Sequence, residues 1–254
     1  MTDPDQSGGA EPAYDRLPEW LRPLARAALH VRPEDLSRFL PPDEGGRESA
    51  VLMLFGESRP GWDGADVLLI ERAHDMRSHA AQVAFPGGAV DPGDEDVVAA
   101  ALRESVEETG LDPAGVDVIG TLPALFLPPS GFVVTPVLGW WRDPSPVSVV
   151  DTREVASVHR VPLAELLDPA NRFQVSHPSG YVGAAFDAAG LLVWGFTAGL
   201  LDRMLRLAGW ELPWDRTDVR DLPADQLPRD RTDVRDLPAD QMPQPSPDGE
   251  VGSR

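Results

Sequence analysis

Glu104, Glu107 and Glu108 stand at i, i+3 and i+4, so on a helix at about 100° per residue three carboxylates share one face. Val98, Leu102 and Val106 point the opposite way, which leaves one side to pack and one to hold a cation. Like charges at this spacing repel by about 0.2–0.5 kcal/mol per pair, so without a counter-cation the arrangement weakens its own helix. All-oxygen ligands suit Mg²⁺ or Mn²⁺ rather than zinc, and such an ion can polarise a phosphoryl oxygen and activate water. An acidic helix face is also common solvated surface, so spacing to other residues has to carry the distinction.

That spacing is Gly88, six residues, Glu95, seven residues, Arg103-Glu104, two residues, Glu107-Glu108, one residue, Gly110-Leu111. It resembles the Nudix box of pyrophosphohydrolases, with one residue more between Gly and the first Glu than in the commonest form, and with Ser105 at a usually aliphatic position. The resemblance implies that Glu95 and Arg103 form a structural pair, and that Glu104, Glu107 and Glu108 bind the metal. It also implies that Gly87 and Gly88 let the backbone turn tightly near the substrate.

Upstream, Leu68-Leu69-Ile70-Glu71-Arg72 and Met76-Arg77-Ser78-His79-Ala80-Ala81-Gln82-Val83-Ala84-Phe85-Pro86 are similar to the extended signature of coenzyme A diphosphatases, with Ala81 where Gly is usual. Further similarity at Asp151–Val155, Val161–Leu163, Leu166–Pro169 and Val193–Ala198 extends the match from about Leu17 to Leu207. The implied substrate is coenzyme A or an acyl derivative, cut to adenosine 3′,5′-bisphosphate and 4′-phosphopantetheine or its acyl form. Arg72 and Arg77 suit bidentate phosphate contacts. Glu108 is the first candidate base and Glu154 the second, although a salt bridge from Glu154 to Arg153 or Arg160 is an equally ordinary reading. His79 reads as scaffold; His30, His74, His159 and His177 have no ligand spacing. Two rival readings stay open: hydrolysis of another nucleoside diphosphate such as ADP-ribose, and a non-catalytic metabolite-binding module.

The elements that position these groups are legible in part. Ala50–Phe55 and Val67–Ile70 are short apolar runs that read as buried strands; Val116–Leu122, Gly131–Trp141 and Val155–Val161 add further strands. Helices are expected over Leu17–His30, over Glu95–Thr109 with Gly110 as C-cap, and over Thr197–Leu207, with a short turn from Asp35 to Leu40. Strands between helices give an α/β layered class, which the resemblance sharpens to the Nudix α/β/α sandwich with a mixed β-sheet.

Composition sets the remaining bounds. The chain of 254 residues is expected to hold a flexible lead (1–16), the Nudix domain (17–212) and a disordered acidic, Pro-rich tail (213–254). In that tail Asp215–Gln226 recurs residue for residue at Asp230–Gln241, an offset of 15. The absence of cysteine excludes a disulfide frame and a cysteine zinc site. The formal charge of −20 argues against non-specific nucleic-acid binding. No apolar run is long enough for a membrane span and no signal peptide is visible, so a cytoplasmic enzyme with a small-molecule substrate is expected. A homodimer is left open.

Overall fold

The structure is a computed structural model that describes residues 16–37, 39–42, 45–73, 82–128 and 130–226. Its first half runs α1 (Arg22–Ala28), α2 (Pro33–Leu36), β1 (Arg47–Glu57), β2 (Ala65–Arg72), β3 (Val83–Ala84), β4 (Gly87–Ala89), α3 (Val97–Thr109), β5 (Val116–Thr121), β6 (Leu125–Leu127) and β7 (Phe132–Trp141). The second half adds β8 (Val155–Pro162), α4 (Leu163–Leu167), β9 (Arg172–Ser176), β10 (Val182–Ala188), β11 (Leu191–Val193), α5 (Gly195–Leu207) and β12 (Val219–Asp221).

The larger sheet is mixed. Strands run β3-β2-β1-β7-β5, with β1 and β7 parallel over Arg47–Phe55 and the other pairs antiparallel, and with β8 on β2, β4 on β1 and β6 on β7. Its central strands are buried on both faces, and side-chain alternation divides them between two cores. Met53, Phe55, Val67, Leu69, Leu138 and Trp140 face the core completed by α1, α4 and α5. Ala50, Leu52, Leu54, Leu68, Val137 and Trp141 face the core completed by Ala100 and Ala101 of α3. This double burial is why Ala50–Phe55 and Val67–Ile70 are continuous apolar runs, and it makes the domain an α/β/α sandwich, as expected. Among the described residues no helix is long and apolar enough to cross a membrane.

The second sheet, in the order β11-β10-β9-β12, was not legible in the sequence. Its last strand corrects the reading of the tail. Residues 213–226 were expected to be disordered, yet Val219–Asp221 pairs in parallel with Gln174–Ser176 of β9, and Leu222 is buried against Phe173, Val175 and Ala185. A leucine in an apolar groove and pairing along a strand edge supply what the segment's own composition does not.

Candidate active site

Helix α3 begins where Asp96 accepts a hydrogen bond from the Ala99 amide at 2.8 Å, and ends where Gly110 takes the left-handed conformation at φ 69°. Between these caps the buried stripe is Ala100, Ala101, Ser105, Glu108 and Thr109. Ser105 satisfies its hydroxyl on the Ala101 carbonyl at 2.7 Å, which is how a polar residue is accommodated inside. Val98 and Leu102 pack at the edge of the same core. The carboxylate face is therefore not opposite the packing face but adjoins it, and the three side chains are graded in exposure: 4% for Glu108, 18% for Glu104 and 58% for Glu107.

The glycine pair of β4 sits directly against this gradient. Gly87 and Gly88 pair with Val51 and Ala50 of β1, and the Gly87 amide donates to Glu108 Oε2 at 2.9 Å. A Cβ on Gly87 would lie 2.2 Å from the Ala50 carbonyl oxygen; one on Gly88 would lie 2.4 Å from Glu104 Cδ. Burial pushes the Glu108 carboxyl up to about 7, against the opposing pull of the Gly87 amide and Arg72 and with added repulsion from Glu104 and Glu154. Burial likewise raises Glu104, although Arg103 works against it.

Arg103 corrects one expectation. Its fork grips Asp94, with Nε to Oδ1 at 2.9 Å and Nη2 to Oδ2 at 3.0 Å, not Glu95, and Nη2 also donates to the Ala89 carbonyl at 3.1 Å. The remaining nitrogen, Nη1, reaches Glu104 at 2.9 Å and Glu107 at 3.2 Å. The overlooked signal was spacing: Asp94 follows Gly88 by the usual five intervening residues, so the extra residue lies after the acid rather than before it.

Two further segments close on the site. Arg72 ends β2 at a register shift against β8, a device that re-aims a side chain, and its Nη1 stands 4.0 Å from Glu108 Oε1. Its Nε is buried and makes no hydrogen bond among the described residues. The next amide, of Ala73, donates to the Glu154 carbonyl at 2.9 Å, pinning the turn that carries Glu154 beside Arg72. Glu154 is near enough to raise the pKa of both Glu104 and Glu108. The salt bridges read as alternatives for it are not formed: Arg153 pairs with Asp151 and Arg160 with Asp66. Arg77, His74 and His79 lie outside the described residues. Strand alternation puts Glu71, Ser157 and His159 on the other face of the sheet, where Ser157 donates to Glu71 at 2.8 Å and contacts His159 at 2.6 Å.

Among the described residues no three acidic or imidazole side chains already converge as a metal cage. The donor chemistry nonetheless fits a hard divalent cation, because Glu104 and Glu107 are all-oxygen donors whose charge Arg103 now neutralises. Arg103 is held independently by Asp94 and the Ala89 carbonyl, so its place does not rest on those two carboxylates alone.

A mixed sheet between helices, with a capped acidic helix over a glycine turn, is the framework of a hydrolase that acts on pyrophosphate bonds. A sequence model of the family described as "NUDIX domain" matches residues 47–179. An uncharacterized Nudix hydrolase NudL of Cronobacter sakazakii is 41% identical over 171 residues, covering 66% of this chain and 85% of the relative. Its counterpart in Citrobacter koseri is 40% identical over 181 residues, covering 65% and 88%. The crystal structure of a Nudix hydrolase from M. smegmatis, RenU, is 21% identical with a TM-score of 0.47 and covers 68% of this chain and 92% of that one. The chain belongs to the Nudix hydrolase family, whose members generally act on nucleoside diphosphate derivatives with divalent metals such as Mg²⁺ or Mn²⁺.

Proposed function

We propose that this chain is a Mg²⁺- or Mn²⁺-dependent diphosphatase that cleaves coenzyme A or an acyl derivative to adenosine 3′,5′-bisphosphate and 4′-phosphopantetheine or its acyl form. The observation that carries the hydrolytic part is the gathering of Glu104, Glu108, Glu154 and Arg72 from three separate segments around the Gly87-Gly88 turn. The substrate part rests on the similarity of Arg72–Gln82 to the coenzyme A diphosphatase signature.

In this reading Glu104, Glu107 and Glu108 hold the metal. When bound it neutralises the diphosphate and lowers the pKa of the attacking water. Arg72 donates to a phosphate oxygen through the edge that carries its unpartnered Nε, and Arg77 assists from the segment that follows. Gly87 and Gly88, lacking Cβ atoms, let the substrate approach the turn. Glu108 or Glu154 accepts the water proton as the oxygen attacks one phosphorus and the bridging P–O bond breaks. Catalysis is then mostly positioning and charge stabilisation.

A panel of coenzyme A, acetyl-coenzyme A, ADP-ribose and NADH, each with Mg²⁺, Mn²⁺ or chelator and with products identified, tests both parts. Metal-dependent release of adenosine 3′,5′-bisphosphate supports the reading. Preference for ADP-ribose overturns the substrate, and tight coenzyme A binding without cleavage overturns the enzyme.

A further inference from the structure

The twelve-residue unit Asp215–Gln226 is seated on the second sheet through contacts that can be named one by one. The Gln174 amide donates to the Asp218 carbonyl at 2.8 Å and the Leu222 amide to the Ser176 carbonyl at 3.0 Å. The Ser176 hydroxyl donates to Asp221 at 2.7 Å, the Arg220 guanidinium stacks 3.8 Å from the centre of the Phe173 ring, and Trp194 Nε1 donates to Gln226 at 3.1 Å. Leu222 fills the groove beside Phe173, Val175 and Ala185.

Every one of these tail residues recurs 15 positions later: Asp233, Arg235, Asp236, Leu237 and Gln241 stand for Asp218, Arg220, Asp221, Leu222 and Gln226. One groove thus faces two identical ligands on the same chain. We infer that the second unit, Asp230–Gln241, seats on β9 of its own chain as an alternative twelfth strand, exchanging with the first.

Two differences bias the exchange. Residues 208–218 join α5 to the first unit's strand, whereas residues 208–233 would join it to the second, and a loop of a little over twice the length lowers occupancy about threefold. Trp214, which stacks on Arg172 at 4.8 Å and on Arg216 at 4.6 Å, has Arg229 at the equivalent place, so its anchor belongs to the first unit alone. The first unit therefore predominates, and the second takes the groove when the first is weakened. Seating on another molecule is the weaker competitor, because a tethered unit acts at an effective concentration around millimolar.

The chain has no cysteine, which makes disulfide trapping unambiguous. Ser176→Cys is combined with Asp221→Cys, with Asp236→Cys, or with Asp240→Cys as an out-of-register control, each in the parent and in Leu222→Asp and the milder Leu222→Ala backgrounds. The expected result is an intramolecular disulfide for the Asp221 pair, a slower one for the Asp236 pair that accelerates at least about threefold when Leu222 is changed, and only collisional linkage for the Asp240 pair. The inference is overturned if the Asp236 pair never exceeds the Asp240 control in any background, or if its disulfide joins two molecules on a non-reducing gel.

Discussion

Glu108 Oε2 accepts the backbone amide of Gly87 at 2.9 Å, tying the most buried carboxylate of α3 to the glycine turn that faces it. The bond holds the carboxylate at the junction of helix and sheet, where Arg72 and Glu154 also arrive. Glu108→Gln keeps the size and one hydrogen-bond acceptor for Gly87 but removes the charge. We expect folding to be retained and kcat with saturating Mg²⁺ to fall by about 10²-fold or more. Wild-type turnover in a folded Glu108→Gln protein would refute the assignment.

Gly87 and Gly88 are expected to respond differently to the same change. In Gly87→Ala the new Cβ meets the backbone of Ala50 and Val51, which cannot swing aside, so we expect a loss of about 1–3 kcal/mol in stability. In Gly88→Ala it meets the end of the Glu104 side chain, which can move. The second variant should melt near the parent and lose metal-dependent activity, and chemical denaturation beside kinetics will separate the two.

The Arg103 fork makes Asp94 and not Glu95 the residue whose loss is felt. Asp94→Ala leaves Arg103 with only Glu104 and Glu107 as charged partners nearby, apart from the distant Asp91, so the protein should melt lower and bind Mn²⁺ more weakly. Glu95→Ala should stay within about 1 °C of the parent in the same melt. Equal effects at the two positions would contradict the geometry.

Glu108 also sets a pH dependence. Its carboxyl is raised from the ordinary 4.5 to about 7 in the metal-free fold, so the native state binds this proton more tightly than the unfolded chain. The contribution to stability is full below about 4.5 and is lost as pH rises through about 7. A metal that takes the ionised carboxylate must displace the proton, so its affinity should weaken as pH falls below 7, with proton release on binding. Calorimetry of Mn²⁺ binding at pH 6 and pH 8, in buffers of different ionisation enthalpy, reads both; an affinity independent of pH would count against Glu108 as a ligand.

Arg72→Lys preserves charge but removes the fork whose Nε has no hydrogen-bond partner among the described residues. We expect KM for the diphosphate substrate to rise about tenfold with a smaller change in kcat, consistent with the loss of one charge-assisted hydrogen bond. An unchanged KM would remove Arg72 from the substrate contacts.

Local signals were legible wherever one segment carried the whole message. The apolar runs of β1 and β2 and the stop of α3 at Gly110 depend on neighbours in sequence, and each was readable; the helix was expected from Glu95, and the Asp96 cap sets its start at Val97. The second sheet was not: its strands are short, and polar and glycine residues interrupt Arg172–Val193, so Phe173, Val175 and Ala185 on one face and Phe186, Ala188 and Val193 on the other form no long apolar run. The first tail unit has too few apolar residues to suggest order from its own sequence; Leu222 is buried against Phe173, Val175 and Ala185, which lie well upstream in the chain.

The sequence by itself determined that three carboxylates share one helix face, since a period of 3.6 residues fixes that relation locally. Only the tertiary structure decided how unlike those carboxylates are. Burial against β4 raises Glu108, Arg103 neutralises Glu104 and Glu107, and the Ala73–Glu154 hydrogen bond brings in a fourth carboxylate from 46 residues beyond Glu108. The same holds for Asp94: which of two adjacent acids meets Arg103 depends on the path of the loop in space, a distance that residue spacing limits but does not set.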